Sequence, residues 1–150
     1  MDCLRFSVDE QHYALELHCI RKVLPSVWVS FLHDCPPPVA GVINYQGHVI
    51  PVIDLRKRLN LPEKNVSLSD RFIWFVTAGW DLILIADQVH GVETLPATSL
   101  VDRSKLPSVP SFVKGVVALP DGLLLIQNPA ALLELREHEV LRDALARTGS

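Results

Sequence analysis

Residues 36–55, PPPVAGVINYQGHVIPVIDL, decide the fold, because the chain writes them twice. Residues 110–128 read PSFVKGVVALPDGLLLIQN, and setting Gly41 over Gly115, 74 positions on, brings the two into register. Val39, Gly41, Val42 and Ile43 then lie over Val113, Gly115, Val116 and Val117, and Asp54 lies over Asn128. A fainter echo precedes each copy. Phe6, Tyr13, Leu15, Ile20 and Val23 fall over Phe75, Leu82, Leu84, Val89 and Val92, 69 positions on. The change of offset needs a single longer loop. Self-similarity at a fixed spacing marks a fold built from repeated units, and the unit here is rich in strand-forming residues.

Working outward, residues 39–44 and 48–53 form the strongest hairpin, with Gly47 supplying the positive φ of a tight turn. Three prolines at 36–38 make a stiff extended approach to it. Asp54 is placed to cap a short helix over residues 55–59, which stops before Pro62. Upstream, residues 4–8 and 13–17 flank the polar turn Asp9-Glu10-Gln11-His12, residues 20–24 end at Pro25, and residues 27–32 read as another short strand. Residues 63–70 are a polar linker. Downstream, residues 72–77 and 82–86 flank Ala78-Gly79-Trp80-Asp81, and their nearly unbroken hydrophobicity marks strands buried on both faces or lying between packed units. Residues 94–110 read as a long irregular connection. Asn128-Pro129 is expected to open the long C-terminal helix, whose apolar stripe carries Leu132, Leu133, Val140, Leu141, Ala144 and Leu145. The pattern predicts a mainly all-β fold with one terminal helix, each half closing its own barrel and the two sharing apolar surface through residues 72–86.

Composition narrows the function. The chain has 150 residues, 49% of them hydrophobic and 21% charged, with a formal net charge of −3. Its one basic block is Arg56-Lys57-Arg58, so it lacks the basic face that phosphate tracking requires, and nucleic acid is excluded as the expected partner. No apolar run reaches the roughly 18 residues of a membrane span, which predicts no direct membrane insertion. The first residues, MDCLRFSVDE, lack the pattern of a secretion signal, and Cys3, Cys19 and Cys35 are odd in number with no C-x-x-C pair. Both features predict a cytoplasmic chain with reduced thiols and no metal.

Catalytic patterns are missing. The six histidines never fall in H-x-x-x-H spacing, and the nucleophile-elbow, P-loop and dinucleotide motifs are absent. Asp54 and Asp87, in VID and IAD, are the one acidic pair that could do acid–base work, and otherwise they end their strands. A Cys19, Cys35 and His18 or His33 metal site is the other enzymatic alternative. Trp28, Trp74 and Trp80 are candidate stacking platforms, with Trp74 expected in the core and Trp80 exposed. Trp80 and Tyr45 would serve a small-molecule-binding barrel. No cofactor is expected.

The motif GVINYQGHVIPVIDLR closely resembles the signature of CheW-type chemotaxis coupling proteins, in which G-V-x-N-x-R-G is followed by P-V-x-D-L. Gly41, Val42, Asn44, Gly47, Pro51, Val52, Asp54 and Leu55 match it, and the resemblance extends over residues 4–135. It implies two side-by-side five-stranded β-barrels with a C-terminal helix. The organisation would be a single domain over 1–150, with subdomain cores at 20–65 and 70–125 and the N-terminal strands and helix packed against them. It further implies a non-enzymatic adaptor bridging the cytoplasmic tip of a methyl-accepting receptor and the regulatory domain of a CheA-type histidine kinase, recruited to membrane-bound receptor arrays. By resemblance the partner-binding residues are Val23, Gly41, Asn44, Tyr45, Gln46 and Gly47, around a groove between the barrels. Two positions depart from the pattern. Gln46 stands where the family has arginine, and a glutamate usual after the third strand has no counterpart near Pro25. Glutamine lacks the bidentate guanidinium, so Gln46 predicts a neutral hydrogen-bonding or apolar group on the cognate partner and a divergent member from an alternative pathway.

Overall fold

The computed structural model describes residues 1–106 and 108–147. Among these the strands are β1 (Asp2–Val8), β2 (Gln11–Glu16), β3 (Ile20–Pro25), β4 (Val39–Tyr45), β5 (His48–Ile53), β6 (Arg71–Thr77), β7 (Trp80–Ala86), β8 (Gln88–Thr94), β9 (Leu100–Asp102), β10 (Val113–Leu119) and β11 (Gly122–Gln127). Helices α1 (Leu55–Arg58) and α2 (Leu135–Arg147) complete them. The strands make a six-stranded sheet, β8-β1-β2-β11-β10-β9, and a five-stranded sheet, β3-β6-β7-β5-β4.

Antiparallel hairpins build both sheets, and two parallel pairs, β2 with β11 and β5 with β7, join them up. Each half therefore does not close on itself. Hairpin β1–β2 lies between β8 and β11, and hairpin β6–β7 lies between β3 and β5, so the two halves have exchanged hairpins. The two-barrel expectation is likewise corrected in detail: the sheets hold six and five strands, and neither closes through a continuous ladder. In the five-stranded sheet the chain leaves β3 and returns to bridge β4 at Ser30, which donates to the Val42 carbonyl at 2.8 Å and accepts from the Val42 N–H at 2.9 Å. This bridge is all that forms of the strand expected over residues 27–32. In the six-stranded sheet β8 runs on through one 3-10 turn into β9, which lies on β10. The segment expected to be irregular thus contains a strand.

The repeat survives at the level of single hydrogen bonds. Asp54 and Asn128 each accept a bond from the backbone two residues on, Arg56 N–H at 3.0 Å and Ala130 N–H at 3.2 Å. Their own N–H groups donate to Pro38 and Phe112, which again differ by the repeat offset. Ala40 and Lys114 are matching bulges, because Val39 pairs with Ile53 and Gly41 with Val52, while Val113 pairs with Gln127 and Gly115 with Ile126. Arg21 and His90 are a second matching pair of bulges. The recurring glycine has a steric cause. A Cβ on Gly41 would stand 2.2 Å from the Ser30 carbonyl oxygen, and one on Gly115 would stand 2.8 Å from that of Val101. Glycine lets the neighbouring segment lie directly against the strand in both sheets.

Three apolar cores result. One fills the five-stranded sheet, with Leu24, Ile43, Ile50, Phe72 and Ile83, and another fills the six-stranded sheet, with Cys3, Ala14, Val117, Leu124 and Ile126. The largest lies between them and includes Phe6, Leu15, Phe75, Leu82, Leu84, Phe112 and Leu141. β6 and β7 feed two cores from opposite faces, Phe72 and Ile83 inward and Ile73, Phe75, Leu82 and Leu84 outward. That explains why they read as unbroken apolar runs. Asn128 caps a single 3-10 turn at Pro129–Ala131, and the long helix starts later than expected, at Leu135. Leu141 and Ala144 bury its stripe, and Arg58 of α1 pairs with Glu137 to hold it.

Replacing Gly41 with alanine should cost about 3 kcal/mol, since a backbone oxygen must move and φ of +153° disfavours a side chain. Gly47→Ala, with open space around it, should cost about 1 kcal/mol. Urea unfolding of both variants checks the order.

A pH effect follows from Tyr13, which is 2% exposed and whose phenol burial pushes up to about 12 from 10. A neutral form favoured by folding gives stability that is whole below the unfolded value and is lost as pH rises through the folded one. Between pH 10 and 12 stability should fall by on the order of 2 kcal/mol, and Tyr13→Phe should remove that component of an alkaline unfolding titration.

Candidate partner-binding surface

The tip of hairpin β4–β5 is a two-residue turn in which Gln46 (φ 50°) and Gly47 (φ 90°) both have positive φ. This is the primed geometry that matches strand twist. Asn44 supports it, its side-chain oxygen accepting from the Gly47 N–H at 3.0 Å. Asn44, Gln46 and Gly47 are exposed, while Tyr45 is half-buried. Tyr45 turns inward and meets Trp74 of β6 edge-on, with ring centroids 5.3 Å apart. Trp74 donates its indole N–H to Asp81 Oδ1 at 2.9 Å.

Two cations of β3 close over these rings. Lys22 donates to the Tyr45 hydroxyl at 2.8 Å and sits 5.3 Å from its ring centre. Arg21 lies 5.9 Å over Trp74, with its Nε 3.2 Å from Asp81. Since β3 and β4 are opposite edges of the five-stranded sheet, this cluster stops one end of it as the Ser30 bridge stops another point. Arg21 and Lys22 join the Tyr45–Trp74 cluster at this surface, and sequence reading did not single them out. The available signal was a pair of adjacent cations inside an apolar strand. The equivalent bulge in the other sheet holds His90, its ring tilted against His12 with centroids 4.9 Å apart and its Nε2 3.0 Å from Ser7 Oγ. Desolvation, with His12 and Arg5 nearby, holds His90 below the usual imidazole value, so that bulge carries a neutral ring.

Val23 faces elsewhere. It is 37% exposed and lines a groove of about 400 Å³ between the sheets, with Arg71 on its own side and Asp87, Gln88 and Val89 opposite. The turn residues are absent from that lining, so Val23 and the 44–47 tip occupy two surfaces, linked through adjacent Lys22. Gly41 is buried beneath Ser30 and presents no side chain to either.

The acidic pair proposed for catalysis is engaged structurally. Asp54 caps α1, with burial raising its carboxyl and the Arg56 N–H partly opposing that. Asp87 Oδ2 accepts from Arg56 and from the Asp9 N–H, both at 2.7 Å. Burial raises the thiols of Cys3, Cys19 and Cys35, which makes them poorer nucleophiles. Trp80 corrects the sequence reading: it is half-buried, 5.4 Å from His138 of α2 and under Arg142. The exposed tryptophan is Trp28, at 85%, beside Val27, Val66 and the 93% exposed Leu68 around a 640 Å³ hollow.

Because Gln46 holds a left-handed backbone, Gln46→Asn should stabilise the turn by roughly 0.5 kcal/mol, asparagine tolerating that region better. A higher denaturation midpoint with unchanged slope would register it.

Comparison with known proteins agrees with this geometry. The CheW-like domain model matches residues 2–137. The chain is 32% identical to chemotaxis protein CheW of Bacillus subtilis over 109 residues, covering 73% of this chain and 66% of that protein. It is 25% identical to protein FrzA of Myxococcus xanthus over 96 residues, covering 64% of this chain and 60% of that protein. In three dimensions it is similar to the scaffolding protein TtCheW of Thermoanaerobacter tengcongensis, with a TM-score of 0.81, 28% identity, and coverage of 91% of this chain and 94% of that one. A family match over residues 2–137, nearly the whole chain, places this protein in the CheW-like domain family.

Proposed function

We propose that this chain is a non-enzymatic coupling adaptor of a chemosensory array, joining the cytoplasmic tip of a methyl-accepting receptor to the regulatory domain of a CheA-type histidine kinase. The observation that carries this reading is the likeness in fold to a scaffolding protein across nine-tenths of both chains. The engaged state of Asp54 and Asp87 also favours it over the enzymatic alternative. The separation of Trp80 from the Tyr45 cluster favours it over a small-molecule barrel. The adaptor works in the cytoplasm and reaches the membrane through its receptor.

Its mechanism is geometric. Two sheets locked together offer separate surfaces, the groove beside Val23 and the end of the five-stranded sheet around Tyr45. An adaptor that grips both partners transmits a change only if its contacts differ between the kinase's two states, since equal binding to both shifts nothing. Tight packing serves this by leaving the adaptor little slack of its own.

Gln46→Ala tests the assignment of the hairpin tip. Binding to the receptor tip or kinase domain encoded near this chain should weaken several-fold, while stability stays within about 0.5 kcal/mol because the side chain is exposed. Pull-down combined with thermal melting separates the two effects, and unchanged binding to both partners would remove Gln46 from the interface.

A further inference from the structure

We propose that Lys22 makes the end of the five-stranded sheet a docking point for a carboxylate on an acidic segment of the protein partner, with Tyr45 and Gln46 completing the contact. This rests on the coupling reading and names the partner chemistry at that surface.

The argument begins with the bulge. Ile20 pairs with Phe75 and Lys22 with Trp74, which leaves Arg21 as the extra residue. A bulge re-aims side chains, and consecutive Arg21 and Lys22 both end over the aromatic pair rather than on opposite faces. Their charges then differ in fate. Arg21 is matched by Asp81 at 3.2 Å. Lys22 meets only the neutral Tyr45 hydroxyl, and among the described residues no carboxylate is paired with it.

The donor set is therefore one-sided. An ammonium has three N–H donors, and the Tyr45 oxygen accepts one of them. Having accepted, that hydroxyl still has its own O–H to donate. The exposed Gln46 amide adds further donors from a turn whose backbone is held in place. A carboxylate, with two acceptor oxygens and no donor, complements this arrangement. A nucleic-acid backbone would need a row of cations, and here a single one is unmatched.

The duplicated fold supplies an internal comparison. The residues equivalent to Lys22 and Tyr45 are Gly91 and Leu119, so the six-stranded sheet carries neither the cation nor the phenol. Shared architecture does not require this cluster, and half the molecule does without it. Gln46 suggested a neutral partner group; with Lys22 on the neighbouring Tyr45, the surface calls for an acidic one.

The test uses the full-length chain against two purified probes from the same genome, the kinase regulatory domain and the receptor tip. Lys22→Met should weaken binding to one of them about tenfold and flatten its salt dependence. Lys22→Glu should weaken it about a hundredfold, with recovery when one partner aspartate or glutamate is changed to lysine. Arg21→Ala, whose charge is already matched, should stay within threefold. Thermal melts confirm that each variant is folded. Binding of Lys22→Met and Lys22→Glu within threefold of the unaltered chain, or tighter binding by Lys22→Glu, overturns the assignment while leaving the coupling reading intact. Failure of the unaltered chain to bind either probe overturns the coupling reading, and the assignment with it.

Discussion

Arg56 is the tie on which the relation of the two sheets depends. It follows β5 of the five-stranded sheet and is 9% exposed. Its two terminal nitrogens reach Asp9, in the β1–β2 turn of the six-stranded sheet, and Asp87, where the chain crosses from one sheet to the other, each at 2.7 Å. Burial opposes its charge, but Asp87 and Asp9 more than offset that, so the guanidinium stays ionised. Lys64 joins from the linker, 2.9 Å from Asp70 and 3.8 Å from Asp87. Asp87 also anchors its backbone, its N–H donating to the Ser7 carbonyl. Removing one member of such a buried set leaves the others uncompensated, at a cost of about 3–5 kcal/mol where burial is complete. Asp87 lines the groove beside Val23 as well, so the network that joins the sheets also fixes one groove wall.

The hairpin exchange gives this junction its strength. Because β6–β7 belongs to the five-stranded sheet by hydrogen bonding yet presents Phe75 and Leu84 to the shared core, neither sheet can leave without exposing the other's apolar face. The two sheets therefore share one continuous apolar junction. Arg21, Lys22, Gln46 and Trp28 are exposed at edges and turns, outside the apolar cores.

Much of this was legible in the chain itself. The repeated glycine, the hairpin at 39–53, the caps at Asp54 and Asn128 and the double burial of 72–86 all follow from local rules: turn φ, side-chain period and the needs of the first helical N–H groups. The tip residues Asn44 to Gly47 were readable for the same reason, since turn chemistry lies within four consecutive positions. Val23 was readable only through resemblance, because nothing beside it in sequence marks a groove.

What the sequence alone determined, then, is the set of β units and their duplication, because hydrogen bonding and hydrophobic period act between near neighbours. Which unit pairs with which was decided by tertiary structure. The parallel pairs β2–β11 and β5–β7 join residues far apart in the chain, and no local signal distinguishes a hairpin that closes its own sheet from one lent to the other. Lys22 belongs to this second category. Its meaning comes from Tyr45, 23 positions away across a curled sheet. Only the approach of β3 to the end of β4 leaves Lys22 beside a phenol rather than a carboxylate, and so exposes an unmatched charge.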